Sequence, residues 1–472
     1  MDLDRVRSPW RRRLRVAVAV GVAALVLAAG YLARQVILVG NGYVAKTVCS
    51  GVFVSDRRPH AVRDAEIQSN DPGILRLVSV DVDRGGLTVT TRFLRLGERV
   101  AVFRGGLGCT LAVGVAPREL AARAPDPATP VSRVPWPSRE AIGRRAAARP
   151  SLHMAALGAA VEEAFAEPGP TPTRRTRAIV VVHDGEIVAE RYAAGYGRDS
   201  ALAGWSMTKS AVNALVGVLV REGRLALDAP LEVPEWGAPA DARRAVTLRQ
   251  LLHMTSGLEF SESYGNPLGD VLWMLFGAGD AARFAAGKRL AAPPGSQWYY
   301  SSGTTNIIAR ALRRAVGGSE ADHLTFPRRA LFDPLGMASA VIEPDAAGAF
   351  VGSSFMFASA RDWARLGQLY LQDGVWEGTR ILPAGWVAFS TTPVPASPGG
   401  AYGAHFWLRL PALYAPSGEA GLPRDAFHAV GHEGQLLTVI PSRRLVVVRL
   451  GLSVGRGVWD HAAFLHRLLQ SS

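Results

Sequence analysis

Apolar positions gather first in one stretch, residues 16–33, that holds no charged side chain; after Arg34 and Gln35 it resumes through residues 36–39. Eighteen or more apolar residues in a row suit a helix that crosses a membrane. Beyond Gly40 the pattern turns to alternation. Residues 77–82 and 87–93 read as strands, with Arg84-Gly85-Gly86 as the hairpin turn between them. Residues 116–137, rich in Pro, Ala and Arg, read as an extended linker. Helical spacing covers residues 151–166 and stops at Glu167-Pro168-Gly169-Pro170. Residues 177–183 and 186–192 are two strands about an Asp184-Gly185 turn, and an amphipathic helix follows, with Val212, Leu215, Val216 and Leu219 on one side. Residues 230–372 are mostly helix and loop. Strand patterns return at 402–410, 427–430, 435–440 and 445–452, and a helix over 458–469 closes the chain. Early strands, a long helical insertion and late strands predict an α+β fold, its sheet assembled from both ends of one domain. Such a layout brings a late strand beside the early amphipathic helix.

Five segments result: a cytoplasmic basic tail (1–15), a transmembrane anchor or signal sequence (16–39), a small β-rich region (40–115), a linker (116–150) and a main domain (151–472).

Composition narrows the class. Of 472 residues, 48% are hydrophobic and 20% charged, as in an ordinary folded protein. A net charge of +13 suggests nucleic acid as a partner, yet the arginines are scattered and no recognition motif accompanies them, so no nucleic-acid partner is expected. Only the tail concentrates charge, at Arg5, Arg7, Arg11, Arg12, Arg13 and Arg15. Arginines ahead of an apolar span hold that end in the cytoplasm. The main body is then extracytoplasmic, in the periplasm, anchored to the inner or cytoplasmic membrane. The alternative is a signal peptide cleaved near Ala28-Ala29-Gly30, which would release the body into the periplasm. Either compartment permits a disulfide between the two cysteines, Cys49 and Cys109, worth about 4 kcal/mol on chain-entropy grounds; two buried free thiols are the other option. Two cysteines do not make a zinc site, and no metal is expected.

Candidate chemistry starts from lysine. The chain has three, Lys46, Lys209 and Lys288, and nearly all its other positive charge is arginine. Arginine stays protonated at any useful pH, whereas a desolvated lysine loses its proton and acts as a base. Lys209 stands three residues after Ser206, in Gly204-Trp205-Ser206-Met207-Thr208-Lys209. Residues i and i+3 share a helix face, which sets the hydroxyl beside the amine, the arrangement of an activated serine nucleophile. Ser206 falls at the helix N-terminus, where free N–H groups favour developing negative charge.

Three further segments accompany it: residues 247–258, ending in Ser256-Gly257; Trp298-Tyr299-Tyr300-Ser301-Ser302, ahead of a helix over 304–316; and Gly431-His432-Glu433-Gly434-Gln435, opening a late strand. Four segments in this order resemble the serine β-lactamase and penicillin-binding superfamily. The branch is similar to class C β-lactamase-related esterases, D-amino-acid peptidases and 6-aminohexanoate-oligomer hydrolases. The resemblance covers about residue 178 to the C-terminus. It implies a β-lactamase/transpeptidase-like fold, an antiparallel sheet flanked by helices, and an acyl-transfer serine hydrolase that needs no cofactor. By the same resemblance Ser206 is the nucleophile, Lys209 its base and Tyr300 the proton shuttle to the leaving group. Ser302 stands where the family has asparagine, and His432-Glu433-Gly434 matches the third motif. The N–H groups of Ser206 and Gln435 would form the oxyanion hole, with Gly434 letting that strand approach the substrate. Lys209, Tyr300 or the pair would deprotonate Ser206. His432 in place of the β-lactamase lysine makes a weaker clamp for a penicillin carboxylate. A small ester or amide is therefore the expected substrate, with a cell-wall D-amino-acid peptidase or β-lactamase, and a non-catalytic envelope ligand-binding protein, as alternatives. Glu262, Tyr264 and Asp270 read as a solvated loop.

Overall fold

The computed structural model describes residues 9–67, 72–123, 136, 154–171, 173–453, 455 and 457–470. Most of the expected linker thus lies outside the described residues, and a helix, Pro117–Ala122, occupies part of its start.

The apolar N-terminal run forms a helix, α1 (Pro9–Cys49), which continues ten residues beyond the end of the run at residue 39. Its first part is exposed, while Leu38, Val39, Asn41, Val44, Ala45, Lys46, Val48 and Cys49 are buried. The β-rich region therefore does not begin at residue 40. Gly40, Asn41 and Gly42 are weak helix formers, but Gly42 allows a close approach, since a Cβ there would lie 2.2 Å from Phe276 O, and the side chains beyond them pack onto protein. Their cover is an antiparallel four-stranded sheet in the order β1 (Val78–Asp83), β2 (Thr88–Phe93), β3 (Leu96–Arg104), β4 (Gly108–Leu111). Cys49 and Cys109 are joined in a disulfide, with Cα atoms 6.0 Å apart, tying the end of α1 to β4.

The main domain is built on a five-stranded antiparallel sheet. After α2 (Met154–Phe165) come β5 (Thr176–His183) and β6 (Glu186–Tyr192). The helices α3 (Thr208–Arg221), α4 (Ser302–Val316) and α5 (Ala360–Leu371) belong to the long insertion. The strands β7 (Phe427–Gly431), β8 (Gln435–Ile440) and β9 (Leu445–Gly451) precede the closing helix α6 (His461–Gln470). The sheet order is β7-β8-β9-β5-β6, with Leu445 opposite His183 where the late strands meet the early ones. This is the α+β, two-ended sheet that the pattern predicts. Its central strands are apolar at nearly every position because both faces are covered. Val180, Val182, Val446 and Val448 share a core with Trp363 and Leu366 of α5. Ile179, Val181 and Val447 pack with Leu157 and Val161 of α2 and Phe464, Leu465 and Leu468 of α6. Each fully buried side chain of this size contributes about 1.5–3 kcal/mol.

One expected strand is absent. Residues 402–410 form a bent loop holding only isolated bridges, Tyr402 with Trp407 and Trp407 with His428. Its apolar positions alternate, but His405 sits at a φ of 60° and turns the chain inward. The aromatic residues of this loop cover the site described next.

Candidate active site

Ser206 lies in a single turn of 3-10 helix, Trp205–Met207, that leads into α3. Trp205 adopts a φ of 48°, a left-handed conformation that costs a non-glycine residue about 1 kcal/mol or more. Thr208 holds the turn: its hydroxyl donates to Trp205 O at 2.6 Å and accepts from Met356 N at 3.0 Å. One turn on, Lys209 Nζ stands 3.0 Å from Ser206 Oγ, 3.1 Å from Ser302 Oγ and 2.9 Å from Ser353 O.

Tyr300, Ser301 and Ser302 run from loop into helix. The Ser301 hydroxyl caps α4 by accepting from Thr304 N at 3.3 Å, which makes Ser302 the first helical residue. The Tyr300 phenol lies beside the Ser206 side chain, which opposes the rise in its pKa. Its ring stacks on Trp407, with centroids 5.5 Å apart, and lies 4.9 Å from Lys209 Nζ. Neighbouring Tyr299 points to solvent.

A carboxylate that the sequence reading leaves in a solvated loop completes the cluster. Glu262 Oε1 accepts from Ser302 Oγ at 2.5 Å, and Oε2 accepts from Ser302 N at 2.8 Å. Asp270 ties down the same loop by accepting from Ser261 N at 2.9 Å and pairing with Lys288 at 2.6 Å. Tyr264 stacks on His432 with centroids 5.0 Å apart. No local pattern in the sequence distinguishes Glu262, because its partners come from a distant helix start.

These contacts order the protons. Ser302 gives its hydroxyl hydrogen to Glu262, so it accepts from Lys209. Ser353 O can only accept. In the neutral amine both N–H bonds are thereby committed, and the lone pair is left facing Ser206. Lys209 is 1% exposed, and burial lowers its pKa to about 8 against the opposing pull of the Glu262 charge. Tyr300 shifts the other way. Burial first, and then the charge on Glu262, raise its pKa far above that of a free phenol.

The third motif meets the nucleophile across the sheet edge. A Cβ at Gly431 would lie 2.2 Å from Gly204 O, so β7 ends hard against the turn before Ser206. His432 is exposed and stands edge-on to Trp205, with centroids 5.5 Å apart; the Trp205 indole donates to Glu433 Oε2 at 3.2 Å. Gly434 has a φ of 82°, and a Cβ there would fall 2.4 Å from Arg449 Nη1. The close neighbour that demands glycine is thus Arg449, which donates to Gly434 O at 2.8 Å. Gln435 turns its side chain into the sheet, where Oε1 accepts from Gly451 N at 3.0 Å and Nε2 donates to Gly451 O at 2.6 Å. Only its backbone is left for the site.

Arg449 and His405 escape the sequence reading. Arg449 is buried within a strand and braces the third motif. His405, in the misread loop, bridges Lys209 O at 2.9 Å through Nδ1 and Thr305 Oγ1 at 3.3 Å through Nε2, locking α3 to α4. Burial lowers the His405 pKa to about 3, so it is neutral across the working range.

The same arrangement of helices and sheet recurs in known proteins. A putative β-lactamase from Bacteroides dorei superposes with a TM-score of 0.53 at 17% identity, over 67% of this chain and 96% of that one. A penicillin-binding protein homologue from Caulobacter crescentus superposes with a TM-score of 0.52 at 21% identity, over 68% of this chain and 96% of that one. In sequence, the chain is 27% identical over 298 residues to the 6-aminohexanoate-dimer hydrolase of Paenarthrobacter ureafaciens, covering 58% of this chain and 72% of the relative. The family described as Beta-lactamase matches residues 161–464. That match spans well over half of the sequence, and the protein belongs to the beta-lactamase family.

Proposed function

We propose that the protein is an exported, membrane-anchored serine hydrolase that cleaves an ester or amide through an acyl-enzyme on Ser206. The observation that carries this reading is the contact of Lys209 Nζ with Ser206 Oγ at 3.0 Å, with the Tyr300 phenol beside the same serine. Lys209, with its pKa lowered to about 8, is the base. Tyr300, whose pKa is raised, keeps its proton near neutral pH and acts as the acid.

Ser206 Oγ attacks the substrate carbonyl as its proton passes to Lys209. The N–H groups of Ser206 and Gln435 receive the oxyanion, each donor worth about 3 kcal/mol. Tyr300 donates its proton to the leaving alcohol or amine and is reprotonated from Lys209. A water molecule, activated by the same pair in reverse, then releases the acid. Exposed His432, with Tyr264 and Trp205 against it, lines the approach. Export is supported by the arginines preceding the apolar helix and by the Cys49–Cys109 disulfide, a bond that persists in oxidising compartments.

The test is turnover by the purified full chain with p-nitrophenyl butyrate, the linear dimer of 6-aminohexanoate and nitrocefin. Ester or linear amide hydrolysis faster than nitrocefin hydrolysis is expected. The name of the curated relative motivates the amide arm, and His432 at the β-lactamase lysine position motivates the order. Preferential nitrocefin hydrolysis would instead favour a β-lactamase, and saturable binding without turnover a ligand-binding protein.

The pH profile tests the base. Only the neutral amine accepts the Ser206 proton, so kcat/KM rises with pH through an inflection near 8. The Glu262 charge raises the Lys209 pKa, so Glu262→Gln moves that inflection down. An inflection that stays in place, or moves up, removes Glu262 from the electrostatics of the base.

A further inference from the structure

α1 leaves the folded body between Leu38, which is buried, and Val36, which is exposed. Two tips of the N-terminal region stand at this exit. One is the β2–β3 turn, with Leu94, Arg95 and Leu96; the other is the short helix Gly73–Leu77, with Ile74 and Leu77. Both touch α1 there. Asn41 Nδ2 donates to Leu96 O at 3.1 Å and also to Gly97 O. A Cβ at Gly97 would lie 2.6 Å from the Ile37 side chain, and one at Gly40 would lie 3.2 Å from Leu75. Thr91 donates to Asn41 O at 2.8 Å, so the hairpin runs along the helix toward its exposed half.

Ile74, Leu77, Leu94 and Leu96 are each more than half exposed. They flank the place where the exposed apolar run of α1 begins, a run in which the most apolar window has a mean hydropathy of 2.4 and is 0% buried. Exposed Arg76 and Arg95 stand among them, and Arg34 on the helix lies near enough to Arg99 to help depress its pKa, after burial. Counting along the helix places them relative to a bilayer. At 1.5 Å per residue, a hydrocarbon core of about 30 Å takes up about 20 residues, from Val16 to Gln35. Ile37 to Asn41 then stand roughly 3–9 Å further out, in the headgroup layer.

We propose that these two tips form a collar that enters the headgroup region of the membrane spanned by α1, seating the hydrolase on the bilayer. Aliphatic side chains sink toward the acyl boundary while arginines meet lipid phosphates, as on interfacial helices. α1 runs unbroken to Cys49, and the Lys46–Glu343 ion pair and the disulfide fix its buried end. The collar rests on the reading of α1 as an uncleaved anchor.

The full chain, reconstituted in phosphatidylcholine/phosphatidylglycerol nanodiscs, tests both readings. Single nitroxide labels are placed without reductant at Ile74→Cys, Leu94→Cys, Leu25→Cys on the apolar run, and Leu413→Cys on an exposed loop of the main domain. Labels at 74 and 94 are expected to share the lipid signature of 25, with accessibility to an aqueous nickel chelate several-fold below that at 413. If 25 reads as lipid while 74 and 94 match 413, the collar is wrong and the anchor stands. An aqueous reading at 25 overturns the anchor and the collar with it.

Discussion

Ser206→Ala lowers kcat by a factor on the order of 10⁴–10⁶, the scale seen when a serine nucleophile is removed from an assembly that acts as a unit. Its fold is expected to hold, since Ser206 is half-buried and the turn is kept by Thr208 and the backbone. A fluorophosphonate probe that labels the wild type stoichiometrically should leave this variant unlabelled. Persistent labelling, or turnover within tenfold of wild type, would mean that the acyl group resides elsewhere. Lys209→Met should approach the same loss by a different route. It keeps the volume but removes the lone pair aimed at Ser206 Oγ. Lys209→Arg should not rescue it, because guanidinium does not shed its proton.

The second large effect is on stability and sits far from the chemistry. Lys46 of α1 pairs with Glu343 of the main domain, both fully buried, and Ser50 Oγ and Cys109 N also donate to that carboxylate, at 2.8 and 2.6 Å. Burial pushes the Lys46 amine down and the Glu343 carboxyl up, each against the attraction of its partner. Removing one partner of such a pair costs about 3–5 kcal/mol, whereas replacing both by apolar groups is often neutral. Lys46→Met is therefore expected to lower the denaturation midpoint strongly, and Lys46→Met with Glu343→Leu to recover most of it. The sign of the pH dependence follows from Glu343. Without Lys46 its folded-state pKa stays above the unfolded value, so stability is fullest below the unfolded pKa and falls as the pH rises. A single variant within 1 kcal/mol of wild type, measured by urea denaturation at neutral pH, would show that the pair does not hold α1 in place.

That pair explains why the helix and the hydrolase form one core. The apolar run alone predicts a span, but its last turns are helical and protein-facing because Lys46, Cys49 and Val48 have partners on β4 and on the strand-like segment around Glu343. The three lysines of this arginine-rich chain each occupy a defined place: Lys46 on Glu343, Lys209 on Ser206, and Lys288 on Asp270 of the loop that carries Glu262.

Local rules made much of this legible in the amino-acid order. The meeting of Ser206 and Lys209 follows from three residues of helical rise, and β5, β6, β8 and β9 from runs of Val, Ile and Leu between turn residues. Alternation misled at residues 402–410, where His405 and the aromatic residues are inward-facing because the loop folds over the site. Ser353 O against the amine, and Glu262 behind Ser302, were decided by tertiary structure alone. Glu262 reaches Ser302 across 40 residues, and Lys46 reaches Glu343 across 297. Helical and strand periods are set by neighbouring backbone units, so order along the chain suffices to read them. Contacts between distant segments exist only after loops have closed and the core has chosen one packing, and no period in the chain encodes them.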